Sequence, residues 1–190
     1  MGKTYVVGIA GGSASGKSTF CEALEKSLDG YKVLTFHMDE YFKPEELRPH
    51  VKAPITGKIY MDDNHPETAD LPKLRKDLAD AIQKNQADII LIEGLLVLSD
   101  IDICGMLDLK LFMECRADER IVRRLKRNMA CGLTFDEIAD VYLDMVRYRH
   151  DEYVEPSKWK ADFILNGSIF SENALGIISR AIQNSLDMKE

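Results

Sequence analysis

Several things are scarce in this chain, and each scarcity excludes a class of protein. Cysteine occurs four times (Cys21, Cys104, Cys115 and Cys131), widely spaced and with no Cys-x-x-Cys pair. Neither a disulfide frame nor a thiolate zinc site is expected, and the thiols read as reduced, semi-buried groups of a cytoplasmic protein. Positive charge is in deficit, 25 Lys+Arg against 32 Asp+Glu for a net charge of −7. A nucleic-acid binder needs a basic footprint to displace counterions, so that class is set aside. Long apolar runs are missing too. The most apolar stretch, Ile89 to Leu98, is interrupted by Glu93 and is too short to span a bilayer, so no membrane partner is expected. Met1-Gly2-Lys3 leads into a short apolar run that ends in glycines at residue 11, which is not the pattern of a signal peptide. His37, His50 and His150 have no metal-ligand spacing and read as structural or surface groups. No repeat, low-complexity tract or Gly/Ser linker marks a boundary, so residues 1–190 read as one domain. An apolar share of 45% is enough for a core. The oligomeric state is left open, a homo-oligomer included.

What is present alternates short β-rich runs with longer helical ones. Thr4–Ala10 reads as a buried strand, followed by glycines and a helix to about Leu28, and Lys32–His37 as a second strand. Residues 38–66 hold four prolines and no clean period, as a functional loop does. Glu67–Asn85 reads as a helix, with Leu71, Leu74, Leu78 and Ile82 at spacings of three and four. Asp88–Ile92 and Leu109–Met113 are continuous apolar runs, as in central parallel strands. Helices from about Asp118 to Met129 and from Asp136 to Tyr153, a strand at Asp162–Leu165 and a helix from Ser171 complete the chain. The alternation predicts an α/β fold with helices on both faces of a mostly parallel sheet.

The strongest chemical signal is Gly11-Gly12-Ser13-Ala14-Ser15-Gly16-Lys17-Ser18, followed by Thr19. It satisfies G-x-x-x-x-G-K-[ST] directly after a strand and before a helix. Its glycines let backbone N–H groups curl around phosphate oxygens, Lys17 faces the β- and γ-phosphates, and the Ser18 hydroxyl suits Mg²⁺. Asp39 lies two residues past the second strand, at the sheet end where ligands gather, and can accept a hydroxyl proton or simply cap a turn. Glu93 closes the apolar run 88–92, where a buried carboxylate needs a pairing cation or a metal. Arg120, Arg123, Arg124 and Arg127 share one helix face opposite Ile121, Val122, Leu125 and Met129. Such a stripe is either a solvated surface or a lid over about 118–135 that closes on a transferring phosphoryl group, with Gly132 as hinge. Asp62-Asp63-Asn64-His65 forms a polar knot before a helix, suited to a sugar's hydroxyls, while Asn64 or Thr68 could cap the helix instead.

With these residues in view, the chain resembles the uridine kinase and phosphoribulokinase family of P-loop kinases. The likeness runs in order through residues 8–19, Asp39-Glu40-Tyr41-Phe42, Asn64-His65-Pro66-Glu67, Ile92-Glu93-Gly94, the arginine helix and 153–158. The resemblance implies a three-layer fold with a five-stranded parallel sheet, ATP with Mg²⁺ as donor and a small-molecule hydroxyl as acceptor. It makes Asp39 the catalytic base, Ser18 and Glu93 the Mg²⁺ residues, and Arg124 and Arg127 the lid arginines. The segment that holds the pyrimidine in uridine kinases is missing after Asn85-Gln86-Ala87, the family's ribose-binding aspartate is Asn64 here, and Gly132 and Thr134 replace later lid arginines. Asp39-Glu40-Tyr41-Phe42-Lys43-Pro44 is also similar to a stretch of the nicotinamide riboside kinases, which lack the pyrimidine segment as well. The expected acceptor is thus a ribonucleoside or a compound like one, with 38–66 as its segment. Tyr41 and Phe42 would stack on its base, and Asp62, Asp63, Asn64 and His65 would take its hydroxyls. The other class considered is a regulatory NTPase. An Asn-Lys-x-Asp guanine motif and a Leu-Ser-Gly-Gly signature are both absent, and Asp39 with the arginine stripe suits transfer to an acceptor better.

Overall fold

The computed structural model describes residues 4–187; the opening Met1-Gly2-Lys3 lies outside them. Five parallel strands form one sheet in the order β2-β5-β1-β6-β7: β1 (Tyr5–Gly11), β2 (Val33–His37), β5 (Ile89–Gly94), β6 (Leu109–Glu114) and β7 (Phe163–Asn166). The α/β three-layer architecture and its five parallel strands are as the sequence implied. β5 is buried along its whole length, and its alternate residues feed two cores. Ile90 and Ile92 join Val6 and Ala10 under α2 (Leu71–Gln83) and α3 (Ile101–Met106). Ile89 and Leu91 join Val7 and Ile9 under α1 (Lys17–Ser27) and α7 (Glu172–Asp187). A strand covered on both faces has no need of polar residues, which is why it reads as an unbroken apolar run.

Differences from the sequence reading have local causes. The helix expected from Glu67 begins at Leu71, because the Asp70 carboxylate accepts from the Lys73 N–H and Pro72 suits the first turn. Asp70 is thus its cap, and the cap is neither Asn64 nor Thr68; Pro66–Thr68 forms a separate 3-10 turn. Two elements had no sequence signal strong enough to show. One is α3, capped by Asp100 and only six residues long. The other is an antiparallel hairpin, β3 (His50–Lys52) with β4 (Ile59–Met61), inside the irregular segment.

α4 (Ala117–Ala130) carries the arginines. The chain turns at Gly132 (φ +97°) and enters α5 (Phe135–Val141) through a reciprocal Thr134–Glu137 capping box. The single helix expected over 136–153 is interrupted by two π-type wide turns, Tyr142–Val146 and His150–Val154, on either side of α6 (Arg147–Arg149). All four cysteines are free; Cys21, Cys104 and Cys115 are buried and Cys131 is exposed. Among the described residues no helix is long and apolar enough to cross a membrane.

Strand register sets the site. His37 of β2 and Ile9 of β1 both pair with Glu93 of β5, and Ala10 pairs with Gly94, so three strand ends finish together. At that point Gly94 lets the chain after β2 come close: a Cβ there would lie 2.3 Å from the Met38 Cβ, beside Asp39. Gly94→Ala is expected to destabilise the protein by about 1–3 kcal/mol through overpacking. A urea midpoint equal to that of the native protein would show that Met38 gives way freely.

Candidate active site

The phosphate loop is built on backbone conformations that few residues adopt. Ala14 and Gly16 both have positive φ (63° and 96°), and Gly16 sits immediately before α1. The Ser15 N–H donates to the Gly12 carbonyl (3.0 Å), closing the curl. Gly11 ends β1, and Gly12 leaves room for Arg120, whose Nη1 would lie 2.5 Å from a Cβ at that position. Ser15 is fully buried and its hydroxyl makes no hydrogen bond. A cavity of about 500 Å³ opens over the loop, lined by Ala14, Gly16, Lys17, Ser18 and Thr19 together with Arg123 and Arg127.

Glu93 stands at the floor of the site, 5% exposed. Its Oε1 accepts from the Ser18 hydroxyl (3.1 Å) and lies 3.1 Å from His37 Nδ1. Its Oε2 accepts no hydrogen bond and is 4.0 Å from Lys17 Nζ. A buried carboxylate oxygen with only a distant cation, next to a serine hydroxyl held by the same carboxylate, is a donor pair that fits a hard divalent cation. Among the described residues no cluster of three or more His, Cys, Asp or Glu could hold a metal by itself. Such an ion would therefore need oxygens from a bound phosphate as well.

Arg120, Arg123 and Arg124 of α4 turn inward while Arg127 is exposed, and the apolar face is only partly covered, with Ile121 and Leu125 half-buried. Val122 and Met129 are each 49% exposed, while Arg120 is buried and its Nε donates to the Cys115 carbonyl (3.0 Å). Arg123 donates to the Gly167 and Ser168 carbonyls (2.8 Å each). Arg124 (3.1 Å) and Arg127 (3.4 Å) both donate to the Ser13 hydroxyl. Burial first, and then the neighbouring Arg127, hold Arg124 below the usual guanidinium pKa; its buried Nε has no hydrogen-bond partner. Two cations share one neutral oxygen. That is a surface ready for an anion.

A second cavity, about 210 Å³, adjoins the first. Lys17 and Arg127 line both. Asp39, Phe42, Asp63 and Asn64 complete its walls with Ser13, Leu95, Arg124 and Asn128. Asp63 pairs with Arg48 (3.1 Å), whose guanidinium also lies 5.3 Å from the centre of the Phe42 ring.

Three expected contacts are not made. Tyr41 does not line this cavity: its hydroxyl donates to Asp77 (3.1 Å), and Lys73 Nζ sits 4.6 Å from its ring centre. Burial and then the Asp77 bond push its pKa up to about 12. Asp62 is 0% exposed and takes a 2.6 Å ion pair from Arg149 Nε. It lines neither cavity. His65 accepts from the Glu67 N–H and packs edge-on against Tyr153, outside the cavity. The sequence reading missed Arg48, Leu95, Asn128 and Arg149. Leu95 and Asn128 adjoin motif residues; Arg48 and Arg149 act across long sequence separations and leave no local signal.

Residues 55–171 match the family model described as the Phosphoribulokinase / Uridine kinase family. A uridine kinase of Bacillus thuringiensis (strain Al Hakam) is 30% identical, covering 98% of this chain and 97% of the relative. The phosphoribulokinase of Rhodobacter spheroides matches in fold with a TM-score of 0.65 at 17% identity, over 88% of this chain and 73% of that one. A possible uridine kinase from Bacillus stearothermophilus gives 0.60 at 18% identity, over 87% and 90%. The match of the family model to most of the chain, and the relative aligned along nearly all of it, show that this protein belongs to the phosphoribulokinase/uridine kinase family and is a small-molecule P-loop kinase.

Proposed function

We propose that the enzyme transfers the γ-phosphate of ATP to a hydroxyl of a ribonucleoside-like acceptor. The observation that supports this most is the shared wall: Lys17 and Arg127 border both the cavity over the phosphate loop and the smaller one that contains Asp39. A group bound in the first cavity and one bound in the second would meet between these cations, where charge develops during transfer.

The roles follow from position. The loop 11–19 holds the triphosphate, with Lys17 at its terminal phosphates. Arg124 and Arg127, released from Ser13, would close on the transferring group, making about 118–135 the lid. Ser18 and Glu93 would hold Mg²⁺, which supplies charge neutralisation at the phosphates when bound. Asp39, on the acceptor side, takes the hydroxyl proton. In the acceptor segment 38–66, Phe42 with Leu95 forms the apolar wall and Asp63 with Asn64 the polar one. We place the enzyme in the cytoplasm, where its unpaired thiols would stay reduced.

The base of the nucleoside is read loosely in this proposal. α2 ends at Gln83 and the chain enters β5 at Ile89 after a tight turn at Asn85 (φ +46°), so no segment stands there to read a pyrimidine. This favours an acceptor range that includes nicotinamide riboside as a second reading beside uridine.

The test is a panel of nucleosides and nicotinamide riboside with Mg–ATP, read as ADP formed. Acceptor-dependent ADP formation without sharp uridine preference is expected; ADP release indifferent to every acceptor would favour a regulatory NTPase. Lys17→Ala is expected to lower turnover by ~10²–10³ while the fold persists. A folded variant that stayed active would refute the phosphate-loop role. Asp39→Asn is expected to lower kcat by ~10²–10⁴ with ATP affinity little changed. Should weaker Mg–ATP binding be its main defect, Asp39 is a metal residue and not the base. Asp63→Ala is expected to raise the acceptor KM about tenfold or more, the worth of a charged hydrogen bond, and to leave the ATP KM alone; equal shifts in both would remove Asp63 from the acceptor site.

A further inference from the structure

Asp62 belongs to the polar knot yet sees neither solvent nor the cavity. Its neighbours Asp63 and Asn64 do line the cavity, and Asp62 is the anchor of that turn. Its Oδ1 accepts from the Asn64 N–H (3.0 Å), and its carbonyl accepts from the Thr68 hydroxyl and the His65 N–H (3.3 Å). Its own N–H donates to the Pro49 carbonyl (2.8 Å). The turn that carries Asp63 and Asn64 is thus pinned at one buried residue, with Arg48 holding the Asp63 side chain as well. What neutralises that residue comes from another part of the chain, 87 positions away: Arg149 Nε at 2.6 Å.

Arg149 is itself held. Its Nη1 bonds Glu152, and its guanidinium lies 5.6 Å from the Tyr153 ring centre, while that ring meets His65 edge-on at 5.4 Å. The residue closes α6 between the two wide turns, a distortion that re-aims side chains and gathers at functional places. The same stretch holds the hairpin tip, where Thr56 (2.7 Å) and Tyr60 (2.8 Å) donate to Asp144 in the first wide turn. Those contacts come from neutral hydroxyls and one of them is exposed, whereas Asp62 and Arg149 are a charge pair with the carboxylate out of solvent, which salt screens little.

We propose that Arg149 is a positioning residue for the acceptor: by clamping Asp62 it fixes Asp63 and Asn64 in the small cavity. The inference rests on the reading that this cavity receives the acceptor. Removing Arg149 alone strands a buried carboxylate, which destabilises in its own right. The double variant Arg149→Met with Asp62→Asn removes that penalty but not the loss of the clamp, so it separates stability from positioning.

The experiment uses the full chain with Mg–ATP and uridine as the acceptor probe, together with amide hydrogen exchange and thermal midpoints. Arg149→Met is expected to raise the uridine KM about tenfold and the ATP KM less than about twofold, with Arg149→Lys intermediate. Amides of 62–68 are expected to exchange faster and those of 12–18 at the native rate. The double variant is expected to regain thermal stability and to keep the raised uridine KM. A double variant with native uridine KM, or uridine and ATP constants rising in step, would overturn the proposal. If the native enzyme leaves uridine unphosphorylated, exchange decides: unchanged protection of 62–68 in folded Arg149→Met overturns the clamp. Should Asp63→Ala and Asn64→Ala keep the native uridine KM while exchange at 62–68 still responds to Arg149→Met, the cavity's assignment to the acceptor fails and the clamp stands.

Discussion

A carboxylate removed from water must be compensated, and at Glu93 the compensation also assembles a site. The residue ends β5, buried among strands that finish level with it, and its two oxygens draw in Ser18 from α1, His37 from β2 and Lys17 from the phosphate loop. One oxygen is satisfied by hydrogen bonds and the other is not. An apolar residue here would pack as well as the rest of β5 and would leave the loop, the helix and the second strand with nothing to converge on. A cost in desolvation is thereby tied to geometry at the phosphate-binding end of the sheet.

Around that centre the two walls of the site are built in opposite ways. On the α4 side two cations are brought to one neutral oxygen: Arg124 and Arg127 meet at the Ser13 hydroxyl, and burial works against the charge of Arg124. Such an arrangement is poorly satisfied until an anion arrives. On the side of the polar knot two neighbouring acids each have an arginine, Arg48 on Asp63 and Arg149 on Asp62. Paired charges with further hydrogen bonds hold a fixed shape. One wall waits for charge and the other sets a register.

The wide turns in the helix after Gly132 link these walls. α4 carries Arg124 and Arg127, and the stretch beyond it carries Asp144 and Arg149, which grip the hairpin and the knot. A regular helix would carry its side chains around at a constant angle; two turns with an extra residue change that angle twice. Nothing in residues 136–153 announces them, since the helical signal there is ordinary.

How much could be read in the sequence divides along the same physical line. The order of strands and helices, the phosphate loop, Asp39 at a strand end and Glu93 closing an apolar run are all local signals: periodicity, a glycine pattern, a charge out of place. They depend on neighbours within a few residues, and the structure places them together. The roles of Tyr41 and Asp62 could not be read that way. Tyr41 sits beside Phe42 in a promising motif, but Asp77 and Lys73 draw it onto α2. Asp62 has the composition of a ligand-binding residue, but Arg149 lies 87 positions away and makes it structural. For the arginine stripe the sequence left two readings open, a solvated surface or one turned toward the site, because hydropathy alone predicts that the apolar face packs, whereas the phosphate loop and the chain after β7 supply carbonyl and hydroxyl partners. By itself the sequence determined the sheet, the loop and the chemistry available at the strand ends. Only tertiary structure decided which of several similar acids and aromatics face the cavity, because that choice is made by partners that meet only once the chain has folded.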